Sequence, residues 1–287
     1  MRIAVTGSSG KLGRATVDRL RSEGHEVTGF DLTGVPGTGF TRVDLADYGQ
    51  AIDSMLGVTA RHEGLDAVVH LAAVPVNGLI PDAATFQNNI TVSFNVVHAA
   101  MRAGIRRIVT ASSITAMGFP FDEPPAALPI DESTTAANNT YALAKVAEES
   151  MWAQLVRWEP EMSISSLRFT NVVAPGEYGT FANATDPAYR RDLLFSYVDA
   201  RDAASAVALA LEHAGPGFEI YAVAAPDTGS AIPTAELAAL HFPGVPVHPG
   251  LAEFETMVSI DKARKRLGYE PQHLWRNEFA LHQADVG

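Results

Sequence analysis

Tyr141 and Lys145 stand four residues apart in the segment TYALAK (140–145), in a chain with only four lysines and seven tyrosines. On a helix that spacing stacks the two side chains one above the other and sets a phenol beside an ammonium, a pairing suited to moving a proton. Roughly 0.1 such pairs are expected by chance in a chain of this composition, so the pair gains meaning only from its surroundings. A second set of residues supplies them. VTGSSGKLG places Gly7, Gly10 and Gly13 between a β-branched run and an amphipathic one. Glycines in GxxGxxG spacing permit a tight turn, close approach of a pyrophosphate to backbone, and close helix–strand packing, while the helix N-terminus offers N–H groups and positive dipole. A P-loop is excluded, because Leu12 stands where a magnesium-binding Ser or Thr is required and no glycine lies five residues before Gly10. Asp31 closes the next strand-like run, 24 residues after Gly7. A carboxylate there accepts both hydroxyls of an adenosine ribose and repels a 2′-phosphate, so NAD is expected rather than NADP. Asp44, in RVDLAD, has two readings: partner of the adenine amino group, or helix cap.

Residues so far apart in the chain need a scaffold that gathers strand ends along one edge. Short β-branched runs alternate with longer amphipathic ones: RIAVTG, KLGRATVDRLRSEG, HEVTGFD, a helix near Tyr48 to Leu56, DAVVHLAA, a helix over 83–103, RRIVTASS, a helix over 140–158, and MSISSLRF. That order predicts right-handed βαβ units on a parallel sheet, an α/β doubly wound (Rossmann) fold. FPFDEPPAALPIDE (119–132) reads as a long loop before the Tyr/Lys helix, functional or mobile by its length. DKARKRLG reads as a solvated helix ending at Gly268, its basic last turn complementing the dipole.

At 287 residues and 47% hydrophobic, the chain accommodates one α/β core and a small second lobe. A net charge of -12 without a basic stripe argues against nucleic acid and against a membrane surface. No apolar run reaches the length of about 18 residues that spans a bilayer, and MRIAVTG enters a strand without a signal-peptide core, so a soluble cytoplasmic protein is expected. The absence of cysteine rules out disulfides and thiolate metal sites, and the nine histidines form no HxH or HxxxH pair, so no metal is expected. No GxSxG elbow is present.

TGSSGKLG (6–13), Asp31, Asp44 with Leu45, HLAA (70–73), Asn89 and Asn95 in N-x5-N spacing, ASSITAMG (111–118), YALAK and YVDARDAASAVALALE (197–212) follow one another in a familiar order. The chain resembles, over nearly its whole length, extended short-chain dehydrogenases/reductases of the NAD-dependent epimerase/dehydratase family. The resemblance implies NAD held by Gly7, Ser9, Gly10, Lys11, Leu12, Gly13, Asp31, Asp44, Leu45, Leu71, Ala72, Ala73 and Asn89, with Tyr141 and Lys145 at its nicotinamide end. It also implies Tyr141 as catalytic acid/base, Lys145 as its partner, and Ser113 as hydrogen-bond partner of the reacting oxygen, with Ser112 the near rival. Elementary chemistry agrees: a free phenol titrates near pH 10, and an ammonium and an oxidised nicotinamide beside it both favour the phenolate. The same resemblance implies an NAD-binding domain over 1–168, and over 169–287 interleaved segments that form a small C-terminal substrate lobe and complete the sheet. A homodimer through the helices 83–103 and 140–158 is implied too, with Val146 and Leu155 facing the partner.

The segment from Asn171 to Tyr197 is too short for the nucleotide-diphosphate insertion of nucleotide-sugar epimerases, and resembles the corresponding part of uronate dehydrogenases. Arg190 is then placed to fork onto a carboxylate or sugar hydroxyls, with Thr115 and Asn171 as further sugar contacts. Pro75, Thr115 and Asn171 depart from that pattern, and Asp122, Glu123, Asp131 and Glu132 make the loop 119–139 acidic. A neutral sugar or polyol therefore stands beside a uronate as the expected small-molecule substrate. Ile114-Thr115, where dehydratases carry Asp-Glu, argues against dehydration. Two alternatives remain open: an epimerase that retains its NAD, and a non-catalytic NAD-binding regulator on the same scaffold.

Overall fold

The computed structural model describes residues 1–35, 37, 39–58, 62–213 and 215–286. Strand and helix alternate as β1 (Arg2–Thr6), α1 (Lys11–Ser22), β2 (Glu26–Asp31), β3 (Phe40–Arg42), α2 (Tyr48–Leu56), β4 (Ala67–His70), α3 (Asp82–Arg102), β5 (Arg107–Ser113), α4 (Thr140–Trp158) and β6 (Ser163–Phe169). The rest of the chain adds β7 (Val172–Val173), β8 (Val198–Asp199), α5 (Ala200–Glu212), β9 (Gly217–Val223), α6 (Thr234–His241), α7 (Asp261–Leu267) and α8 (Trp275–Val286). Seven strands pair in parallel in the order β3-β2-β1-β4-β5-β6-β9. The winding reverses between β1 and β4, which opens a crevice beyond their carboxyl ends. β9, GFEIYAV, lies outside the strand-like runs read from the sequence and extends the sheet past β6.

Successive strand side chains point to opposite faces, and the apolar residues divide accordingly. Ile3, Val5, Val69, Val109 and Leu167 pack with Leu20 of α1 and Ala203 and Val207 of α5. Ala4, Val68, Ile108 and Ile164 turn the other way, onto Met55 of α2, Val96 of α3, and Trp152 and Leu155 of α4. Both faces are covered, which is why the strands read as near-continuous apolar runs. Leu155 belongs to this core at 4% exposure, which corrects the expectation that it faces a partner subunit. The apolar side chains that α3 and α4 do leave outward include Phe94 and Leu143.

The segment 119–132 differs from a free loop. Leu128 and Ile130 are buried and run alongside the C-terminal region, with Leu128 N donating to Pro246 O (2.9 Å), His248 N to Leu128 O (2.8 Å), Ile130 N to Met257 O (2.9 Å) and Ser259 N to Ile130 O (2.8 Å). Of its acids, Asp122, Glu123 and Asp131 are exposed to water, while Glu132 turns inward, its Oε1 accepting from Ala222 N at 2.8 Å. α7 matches the solvated helix expected there, with Ala263 and Leu267 inward and Gly268 ending it in the left-handed region. No described helix is long and apolar enough to cross a membrane.

Candidate active site

The carboxyl end of β1 forms a cradle that admits no side chain. Gly7 has φ +66, and a Cβ there would lie 2.7 Å from Ala72 N; a Cβ on Gly13 would lie 2.0 Å from Gly7 O. Gly10 precedes α1 without any side-chain cap, and the first turn carries no acid, so the helix N-terminus is left to an anion. The glycine spacing, the uncapped helix end and the crevice together fit a dinucleotide pyrophosphate. Asp31 sits on the rim, where Oδ2 accepts from Ser9 N at 3.0 Å and Oδ1 from Thr33 N at 3.3 Å. The Lys11 ammonium reaches away to Val172 O (3.0 Å) and Glu177 Oε2 (2.5 Å), so Lys11 offers the cradle its backbone rather than its charge.

Other expected cofactor residues gather along the same edge. The cap of α2 is Asp47, whose Oδ1 accepts from Gln50 N at 3.1 Å, and Asp44 instead closes a turn onto Ala46 N at 3.0 Å. The cap reading of Asp44 is thereby excluded. Leu45 is buried beneath that turn, and Leu71, Ala72 and Ala73 follow β4 directly. The two asparagines of the N-x5-N spacing hold these loops from behind. Asn89 takes Val74 N on Oδ1 (2.8 Å) and donates Nδ2 to Val74 O (3.0 Å), while Asn95 donates to Leu45 O and Ala46 O, both at 3.0 Å. With its amide so engaged, Asn89 acts on the cofactor groove through the loop it pins.

Asn139 caps α4 by accepting from Ala142 N at 2.9 Å, which starts the helix so that Tyr141 falls in its first turn and Lys145 one turn later. Both are buried, at 8% and 3% exposure, and Lys145 Nζ lies 5.9 Å from the centre of the Tyr141 ring. Lys145 donates to Ala111 O at 3.0 Å and to Glu148 Oε2 at 2.8 Å. Ser113 ends β5, accepts from Thr115 N at 3.2 Å, and stands close enough to the Tyr141 phenol to favour its ionised form. Its rival Ser112 points elsewhere and donates to Glu149 Oε1 at 2.7 Å. Thr115 Oγ1 is buried without a hydrogen-bond partner, so it does not face an open pocket as the sugar contact expected of it.

Burial raises the Tyr141 pKa above its ordinary value; Lys145 opposes the rise, Glu148 adds to it, and Ser113 opposes it. The sequence showed only the ammonium, and the carboxylate that offsets it went unread. For Lys145, burial alone would favour the neutral amine, but Glu148 and then Tyr141 outweigh burial and hold the ammonium above its usual range. Behind the pair, Arg168 donates to both Glu149 oxygens (2.9 and 2.7 Å), to Glu132 O (3.1 Å) and to Thr134 O (2.9 Å). That network fastens the segment before α4 to β6. It too was missed, because its members lie far apart in the chain.

In the small lobe, Tyr178, Phe181, Tyr197 and Trp275 pack together, and the Arg190 guanidinium lies 4.9 Å from the Phe181 ring. Arg190, Leu194 and Phe195 all have positive φ without being glycine, a cluster of left-handed residues that only surrounding packing sustains. The expected fork of Arg190 onto a carboxylate meets an obstacle. Its Nη2 already donates to Asn171 Oδ1 at 2.8 Å and to Ser196 O at 2.9 Å, so both of that nitrogen's hydrogens are used inside the lobe. Asn171 is occupied by the same bond.

A model of the NAD dependent epimerase/dehydratase family matches residues 3–224. An L-arabinose 1-dehydrogenase (NAD(P)(+)) of Haloferax volcanii is 40% identical over 115 residues, covering 39% of this chain and 41% of that protein. A UDP-glucose 4-epimerase of Bacillus subtilis is 30% identical over 194 residues, covering 60% of this chain and 52% of that protein. The matches thus span about half the length of these relatives. A short-chain dehydrogenase/reductase superfamily protein from Agrobacterium tumefaciens, crystallised with bound NAD, has the same fold: TM-score 0.74 at 24% identity, covering 100% of this chain and 98% of that one.

Proposed function

The chain belongs to the NAD dependent epimerase/dehydratase family, and from that premise we propose that it is an NAD-dependent dehydrogenase oxidising a hydroxyl of a small, neutral free sugar. The observation that carries the reading is the buried Ser113, Tyr141 and Lys145 group set at the strand ends beside the glycine cradle. NAD, when bound, supplies the hydride acceptor. Ser113 holds the sugar hydroxyl, Tyr141 takes its proton as the carbonyl forms, and Lys145 orients and tunes the phenol. The cradle of Gly7, Gly10 and Gly13 holds the pyrophosphate, and Asp31 the adenosine ribose. Residues 1–168 act as the cofactor domain, and 169–287 as interleaved segments that form the substrate lobe and, through α5 and β9, complete the sheet, in a cytoplasmic homodimer that covers Phe94 and Leu143.

The neutral sugar is favoured over a uronate because Arg190 is already saturated at Nη2, and over a nucleotide sugar because Asn171 to Tyr197 leaves little chain to hold a diphosphate. The name of the Haloferax volcanii relative, L-arabinose 1-dehydrogenase, agrees with that preference. A retained-NAD epimerase is the second reading, favoured by relatives such as the Bacillus subtilis UDP-glucose 4-epimerase. Incubation with NAD and a panel of aldopentoses, aldohexoses, uronates and UDP-sugars tests the choice. NADH should form fastest with a neutral aldose, and a rate confined to UDP-sugars or uronates would contradict the reading.

Asp31 makes a separate prediction. Its carboxylate on the cradle rim repels a 2′-phosphate, so kcat/KM with NAD should exceed that with NADP, and Asp31→Asn should narrow the ratio. Equal or greater kcat/KM with NADP in the wild type would remove Asp31 from the ribose.

A further inference from the structure

A buried polar chain runs beneath the Tyr141/Lys145 pair, and its links fix one another's direction. Thr6 Oγ1 accepts from the N–H groups of Leu71 and Ala72, at 3.2 and 3.3 Å, so its own proton points to His70 Nδ1 at 2.8 Å. His70 therefore carries its proton on Nε2 and donates to Ser93 Oγ at 2.9 Å. Burial, and then the nearby Lys145, push the His70 pKa down to about 3, which keeps the ring neutral. The Ser93 hydroxyl is left facing Glu148, whose Oε2 accepts from Lys145 at 2.8 Å and whose buried Oε1 makes no full hydrogen bond. Two of the three Lys145 N–H bonds are thus fixed, onto Ala111 O and Glu148, and one remains for cofactor or phenol.

The charges behind Tyr141 are arranged in pairs. Lys145 is matched by Glu148 at 2.8 Å, Arg168 by Glu149 at 2.7 Å, and His70 is uncharged. At Tyr141 the pull of Lys145 toward the phenolate is therefore offset in part by Glu148. We propose that Glu148 is a positioning residue that aims Lys145 and offsets part of its charge, so that Tyr141 gives up its proton to solvent at lower pH once oxidised NAD is in place. The proposal rests on the reading of Tyr141 as acid/base. The device keeps the site a weaker base until the hydride acceptor has arrived, and it makes NAD affinity rise with pH by linkage. The balance at Tyr141 agrees, since burial and Glu148 raise its pKa while Lys145 lowers it.

The phenolate absorbance of the intact protein, titrated with and without NAD, tests this without any sugar. Subtracting the titration of Tyr141→Phe isolates this one tyrosine among seven. In the wild type the Tyr141 phenolate should appear at lower pH with NAD than without. In Glu148→Gln it should appear at lower pH already without NAD, and the shift caused by NAD should shrink. Glu148→Met carries the same expectation if Glu148→Gln does not fold, while Glu148→Asp, which keeps the charge, should titrate closer to wild type. A cofactor-free titration of Glu148→Gln or Glu148→Met that coincides with wild type or moves to higher pH overturns the proposal, as does Glu148→Asp behaving like Glu148→Gln. Failure of the underlying reading looks different: Tyr141→Phe would then oxidise sugar normally, whatever the titrations show.

Discussion

Tyr141→Phe should keep its fold and still bind NAD, losing only the rise of affinity with pH, while sugar oxidation falls by about 10²- to 10⁴-fold, the span that a positioned acid/base supplies. The Tyr141 phenol stands beside both Ser113 and the charge of Lys145, which act on its ionisation. The substitution leaves the ring, and hence the packing of a residue only 8% exposed, intact. An ordinary helix-surface pair at this spacing would contribute only tenths of a kcal/mol and leave turnover unchanged. Steady-state kcat with a responsive sugar, NAD affinity by fluorescence and a thermal melt together read the three quantities. A kcat within a few-fold of wild type would remove Tyr141 from the chemistry.

The second large effect lies in stability. Arg168→Met strips the buried Glu149 carboxylate of its bidentate partner while Ser112 alone continues to donate to it, and it releases Glu132 O and Thr134 O. Removing one member of a buried ion pair costs about 3–5 kcal/mol, because the other charge stays desolvated. Arg168→Met/Glu149→Met, which removes both charges, should recover a substantial part of that loss. Denaturant melts of the two variants check it. A loss under about 1 kcal/mol in Arg168→Met would mean that the pair does not hold the segment before α4 to the sheet.

Parts of this structure were legible because their signals are local. The helix over 140–158 coincides with α4, since Asn139 supplies its cap and the apolar spacing its inner face. Gly7 and Gly13 announced the cradle because only glycine fits where a Cβ would meet backbone. Other parts were hidden because their partners are remote in sequence. Leu128 and Ile130 pair with residues more than a hundred positions away, so 119–132 read as a free loop. Leu155 was assigned to an outward face because helical spacing alone does not say which neighbour covers it, and it is α4's own core that does. Arg190 reads in sequence as open to fork onto a ligand, because the Asn171 amide and the Ser196 carbonyl that take its Nη2 hydrogens come together only in the fold. Glu148 was passed over because in one dimension it is merely a second acid beside Glu149; only the fold sets one against Lys145 and the other against Arg168.

Whether NADH leaves the enzyme tests the central claim most directly. Wild-type protein, incubated with excess NAD and a neutral aldose and then separated by ultrafiltration, should yield NADH in the filtrate at many equivalents per enzyme, matched by loss of the sugar. NADH that never exceeds one enzyme-bound equivalent, with the sugar recovered as its epimer, would contradict a dehydrogenase and leave the retained-cofactor epimerase in its place.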